Sequence, residues 1–122
     1  MTYRFTIMGR LPSLNEYISA ERSNRYRAAK MKRENEDIIV YYIRHARIPT
    51  LKRPVLIRYH FFEQSQKRDK DNISGMAHKF IQDALVAARV LEGDGWAHIA
   101  GYLDNFSVDK KLPRIEVEIT EV

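Results

Sequence analysis

At 122 residues the chain is long enough to bury one core and too short for two domains. With 44% hydrophobic and 30% charged residues it is no disordered tail, it holds no apolar run of ~18 residues to cross a membrane, and without cysteine it has neither a disulfide framework nor a thiolate zinc site. The net charge of +5 and pI near 9.6 favour a polyanionic partner, nucleic acid first, and the absence of a signal-like apolar stretch at the start makes a cytoplasmic protein the expectation.

Residues 2–8 alternate like a strand, with Tyr3, Phe5 and Ile7 on one face, until Gly9 and Pro12 break the pattern. Leu11 to Tyr17 reads as a turn-rich segment. Between Glu21 and Arg33 six of thirteen residues are basic: Arg22, Arg25, Arg27, Lys30, Lys32 and Arg33. A helix is predicted from about Asn24 to about Ala46, with Ile38, Ile39, Tyr42 and Ile43 as its apolar stripe. Its basic half is either a solvated face or a phosphate-contacting surface, the latter supported by the interleaved Tyr17 and Tyr26. Pro54 to Phe62 reads as a second strand, in which His60 is a packed or surface residue rather than a ligand.

The stretch Arg68-Asp69-Lys70-Asp71-Asn72 then precedes the clearest helical period in the chain, Ile73 to Arg89. If residues 68–71 are extended, Asp69 and Asp71 point the same way while Lys70 points elsewhere. Two carboxylates so placed suit Mg²⁺, a hard ion that takes oxygen ligands and keeps several waters. The same residues also suit a helix start, with Asp71 or Asn72 as N-cap. An EF-hand is excluded, because Ile73 takes its fifth position, Ser74 replaces the glycine at the sixth, and Phe80 sits where the bidentate Glu belongs.

Ile73, Met76, Ala77, Phe80, Ile81, Ala84, Leu85 and Ala88 form the core stripe of this helix, leaving Asn72, Lys79 and Asp83 on a polar flank. Lys79 lies about two turns beyond the Asp pair, either reaching back toward a metal-held phosphate or pairing with Asp83. Glu92-Gly93-Asp94-Gly95-Trp96 is a tight turn that exposes a third acid. Two strands follow, about 98–108 and 114–121, joined by a hairpin loop at 109–113. The expected fold is α+β in two layers, order β-α-β-α-β-β, a mixed sheet covered by two helices in a single domain spanning 1–122.

This succession resembles the RusA family of Holliday junction resolvases over nearly the whole chain. Asp69-x-Asp71-Asn72 opens a helix, Asp83-Ala84-Leu85 lies inside it, and an Asp94 turn follows. Pro12-Ser13-Leu14-Asn15-Glu16-Tyr17 is similar to the family's Pro-x-x-Asn-x-Tyr element. The Asp-Gly-Trp turn and the ending from Val108-Asp109-Lys110 to Glu118 look like the prophage-borne branch.

The resemblance implies a homodimeric, Mg²⁺-dependent endonuclease that nicks four-way DNA junctions symmetrically in recombination and repair. It makes Asp69, Asp71 and Asp94 the catalytic, metal-binding acids. Gly75 stands where the founding pattern has a catalytic lysine, and Lys79 is the nearest substitute. Asn15, Arg22, Arg25, Lys30 and Lys32 are the candidate DNA contacts. The same acids would serve a nuclease acting on flaps, forks or RNA. A non-catalytic basic DNA-binding module would instead use them as caps and surface charges.

Overall fold

The computed structural model describes all residues, 1–122. Its elements are β1 (Thr2–Met8), α1 (Leu14–Ser23), α2 (Arg25–His45), β2 (Val55–Glu63), α3 (Lys70–Ala87), β3 (Ile99–Val108) and β4 (Arg114–Glu121). The architecture is the expected two-layer α+β one with a mixed sheet, but three helices cover it, not two. The segment read as turn-rich is α1. Ser13 caps it, accepting from the Glu16 N–H while the Glu16 carboxylate accepts from the Ser13 N–H. Asn24 is extended (φ −170°, ψ 128°) and divides α1 from α2: its N–H closes α1 on the Ala20 carbonyl, and its side chain accepts from the Tyr26 N–H to open α2.

The strand order is β1-β4-β2-β3. β4 runs antiparallel to both β1 and β2, whereas β2 and β3 are parallel and joined by α3 as a crossover helix. The hairpin expected between the last two strands is therefore absent. Residues 109–113 carry the chain from the edge strand β3 past β2, and β4 inserts between β1 and β2. That slot suits it: Ile115, Val117 and Ile119 sink into the core beside Val55, Ile57, Tyr59 and Phe61 of β2.

The core lies between the sheet and the helices. Ile73, Ala77, Phe80, Ile81, Ala84 and Leu85 of α3 and Ile39 and Ile43 of α2 are buried there, while Ile38, assigned to the same stripe, is about half exposed. Gly75 lies where α3 meets Leu14 of α1. A Cβ at that position would stand 3.2–3.3 Å from Leu14 side-chain atoms, so a larger residue would make the Leu14 side chain shift by a few tenths of an ångström.

Two non-glycine residues adopt left-handed backbone, Arg47 (φ 54°) just beyond α2 and Arg89 (φ 62°) just beyond α3. Glycine is the ordinary residue at such a position, because a Cβ costs about 1 kcal/mol there. Arg89→Gly is expected to stabilise the protein by about 1 kcal/mol, raising the thermal midpoint by about 3 °C in a calorimetric scan. An unchanged or lowered midpoint would show that Arg89 makes compensating contacts.

Candidate active site

The alternation of β2 dictates the floor of the site. Val55, Ile57, Tyr59, Phe61 and Glu63 share the core face, so the strand ends by burying a carboxylate, Glu63, at 5% exposure. A buried carboxylate needs a partner. Arg68 supplies it in a two-pronged pair, with Nε 2.9 Å from one Glu63 oxygen and Nη2 2.9 Å from the other. The third arm of the guanidinium, Nη1, donates to the Leu11 carbonyl at 3.1 Å and lies 3.4 Å from Glu16 of α1. Arg10 adds a longer contact to Glu63, at 3.9 Å.

This knot turns the chain sharply from β2 into α3 and fixes where the next residues go. Asp69 is the N-cap of α3, extended at φ −67°, ψ 152°, and Asp71 lies in the first helical turn. The two are thus brought together across a strand-to-helix corner, not along an extended segment. Asn72 is not the cap: its side-chain oxygen accepts from the Asn15 N–H at 2.8 Å, which ties the start of α1 to the start of α3.

Asp69 and Asp71 line a cleft of about 620 Å³ with Glu63, Arg68, Lys70 and, on the β3 side, Phe106, Ser107 and Val108. The cleft lies outside the C-terminal ends of the parallel strands β2 and β3, the usual place for a ligand beside a crossover helix. Lys70 turns aside from the acids and stands 5.7 Å from the centre of the Phe106 ring.

Although Asp69 occupies the cap position, its carboxylate makes no capping hydrogen bond. Asp71 likewise has no ion pair or side-chain hydrogen bond, in a chain with 21 Lys and Arg. Two carboxylates with free oxygens at the mouth of a solvent-filled cleft fit Mg²⁺, which is bound through one or two carboxylates plus waters and substrate phosphate oxygens.

Asp94 does not join them. No three acidic or histidine side chains in the chain are grouped closely enough to share an ion. Asp94 follows the far end of α3, and its carboxylate lies 3.7 Å from Lys79 Nζ. The eight residues from Asp71 to Lys79 rise about 12 Å along the axis. Lys79 is likewise not directed at the cleft: it donates to Asp83 at 3.0 Å, the surface pairing.

Lys32 is not a free DNA contact either, because it donates to Glu36 at 2.6 Å and to Asp83 at 2.8 Å. Lys30 has a loose contact with Glu34, at 3.8 Å, while Arg22 and Arg25 are exposed without an ion pair and Asn15 stands exposed near the cleft. Gly75, where the family pattern has its lysine, is exposed and lies close to Leu14 of α1, so a side chain there would make Leu14 give way by a few tenths of an ångström.

Sequence reasoning missed Glu63, Arg68 and the Phe106–Val108 wall. Glu63 was visible as an acid on the apolar face of a strand, and Ser13-x-x-Glu16 as a capping box. The β3 wall was not visible, since it depends on which strand lies beside β2. No family model matches the chain and no curated protein matches its sequence, so the RusA resemblance rests on the motifs alone.

Between α2 and α3, Asp83 bridges Lys32 and Lys79. Burial pushes the Asp83 carboxyl up, but the two ammonium groups outweigh it and hold the pKa below the ordinary 3.8. A depressed folded pKa means stability present above pH 3.8 and lost as pH falls through the folded value. Asp83→Asn is therefore expected to cost about 1 kcal/mol at neutral pH, allowing for solvent screening. The cost should shrink below about pH 4 in urea titrations, and a pH-independent cost would remove charge as its cause. Glu63→Ala should cost more, about 3 kcal/mol, by stranding Arg68. A loss under 1 kcal/mol would mean that Arg68 re-pairs with Glu16.

Proposed function

We propose that the protein is a Mg²⁺-dependent endodeoxyribonuclease that resolves four-way DNA junctions by symmetric nicking. The observation that carries the reading is the pair of uncommitted carboxylates, Asp69 and Asp71, held at the mouth of a cleft by the Glu63–Arg68 pair. When bound, the metal supplies a hydroxide nucleophile at neutral pH and neutralises charge on the phosphate.

The chain's own residues do the positioning. Asp69 and Asp71 provide the oxygen ligands, and the Glu63–Arg68 knot keeps the strand-to-helix corner rigid so that both face the cleft. Lys70 offers a cation to the DNA backbone, beside the Phe106 wall of the cleft. The exposed Arg22 and Arg25 extend positive charge along the helical layer toward the arms of the substrate.

A homodimer belongs to the same proposal, because two cuts related by twofold symmetry need two sites so related. Cytoplasmic residence also belongs to it; in the structure itself no helix is long and apolar enough to cross a membrane. Asp94 is assigned no role in the cleft of its own chain, and Lys79 is assigned to the α2–α3 interface.

The test is cleavage of a labelled four-way junction beside a linear duplex of the same sequence, with Mg²⁺ or EDTA. Paired nicks near the crossover with Mg²⁺ alone are expected. They should be abolished, by at least 100-fold, in Asp69→Asn and Asp71→Asn while junction binding survives. Cutting of both substrates alike would keep the nuclease and discard the junction. Cutting of flaps or RNA in preference would reassign the substrate, and binding without cutting under every metal condition would leave a non-catalytic DNA-binding module.

A further inference from the structure

β3 is an edge strand, so its side chains have β2 on one flank and no strand on the other. Tyr102, Asp104 and Phe106 lie opposite the buried Ile57, Tyr59 and Phe61 of β2 and share their side of the sheet, the side that carries the helices. Phe106 stacks on Phe61, with ring centres 5.3 Å apart and planes 17° from parallel, and Phe61 stacks in turn on Tyr59 at 6.1 Å and 16°. Phe106 ends this series at the edge of the sheet and is the one aromatic side chain that lines the Asp69–Asp71 cleft. Phe61 takes one face of its ring, no strand covers the other, and the ring stays part-exposed. We infer that Phe106, continued along β3 by Tyr102, is a stacking platform for unpaired bases of the DNA strand that enters this cleft.

Tyr102 stands four residues before Phe106 on the same face, about 13 Å along the strand. Its ring is 56% exposed, yet it is held in place by His78 at 4.5 Å and, edge-on, by Tyr59 at 6.3 Å. The acid between the two rings, Asp104, is bonded to His78 at 2.8 Å. Lys70 is exposed, has no ion pair and stands 5.7 Å from the centre of the Phe106 ring, where an ammonium group can meet the phosphate of a nucleotide whose base lies on the ring. Tyr26 and Tyr41 of α2 and Trp96 of the turn before β3 are exposed as well. Only on β3 do two rings of one strand face stand beside an unpaired lysine and the acid pair.

DNA as the ligand rests on the nuclease reading; the rings add the state of the strand. Paired bases offer a protein only their edges, in the grooves. A flat ring therefore takes a base only from a strand that is unpaired or opened, as the aromatic side chains of single-strand binding proteins do. Opening a base costs least where pairing is already interrupted. The platform thus favours branch points and single-stranded segments over intact duplex. Stacking needs neither metal nor hydrolysis, so it can be measured apart from cutting.

The experiment is fluorescence anisotropy of the full-length protein with a short labelled oligo-dT and, separately, a labelled hairpin duplex, in EDTA and beside thermal melts. Phe106→Leu keeps the apolar bulk and removes the flat face. It is expected to bind oligo-dT about 5- to 30-fold more weakly and the hairpin within about 2-fold of wild type. Phe106→Tyr should hold oligo-dT within about 2-fold of wild type. Tyr102→Leu should lose about 5-fold on oligo-dT, and Tyr102→Phe should restore it. Because Tyr102 is exposed, this second pair decides the matter if the melts show Phe106→Leu to be unfolded. Equal losses on oligo-dT and hairpin would overturn the platform. Unchanged oligo-dT binding in both leucine variants, with wild-type cutting of junctions, would overturn the platform and leave the nuclease. Ring-dependent oligo-dT binding without cutting of any substrate would keep the platform and remove the nuclease.

Discussion

The Glu63–Arg68 pair sets the constraint from which the site follows. A strand that buries every second residue must bury its last one, and here the last one is an acid. Its charge stays in the core because the Arg68 guanidinium, five residues beyond, reaches it with two prongs, with Arg10 adding a longer contact. Once Arg68 is committed, its remaining arm reaches the Leu11 carbonyl and Glu16 and draws the start of α1 to the same corner. Two helix N-termini and a strand end then meet at one point. Asp69 and Asp71, the next acids in the chain, have nowhere to go but the rim.

The direction of α3 decides how the remaining charged residues divide. As the crossover between parallel strands it presents its N-terminus to the cleft and carries Lys79 and Asp83 toward α2. The chain of charges Glu36–Lys32–Asp83–Lys79–Asp94 holds two helices and the following turn together. Lysines so committed make poor phosphate ligands, and an acid so committed does not line the Asp69–Asp71 cleft. On the opposite side of α3, His78 bonds Asp104 at 2.8 Å and packs against Tyr59 and Tyr102, which fastens the edge strand β3 to the helix. That fastening keeps the Phe106 wall of the cleft in place.

Much of this was legible from residue pattern. Period-2 runs marked β1, β2 and β4, and a period near 3.6 marked α2 and α3, because burying one face imposes that spacing on the sequence; β3 was placed without such a pattern, and its burial does not alternate cleanly. That Asp69 and Asp71 belong to one place was legible as well, but not as two residues of an extended segment: both line one cleft, Asp69 as the cap of α3 and Asp71 in its first turn. Helix α1 went unread because Pro12 and Ser13 suggest a turn, and the reciprocal Ser13–Glu16 cap that turns them into a helix start carries little apolar signal.

By itself, then, the sequence determined the types of all elements but α1, most of the faces they bury and the presence of two acids at the head of a helix, since each depends on neighbours within a few turns. Tertiary structure alone decided that β4 inserts between β1 and β2, that Phe106 walls the cleft, and that Lys32, Lys79 and Asp94 belong to an ion-pair chain rather than to the site. Those outcomes depend on which distant segments lie side by side. Hydrophobic periodicity fixes which face turns inward, not which neighbour a charged side chain on the outward face will meet.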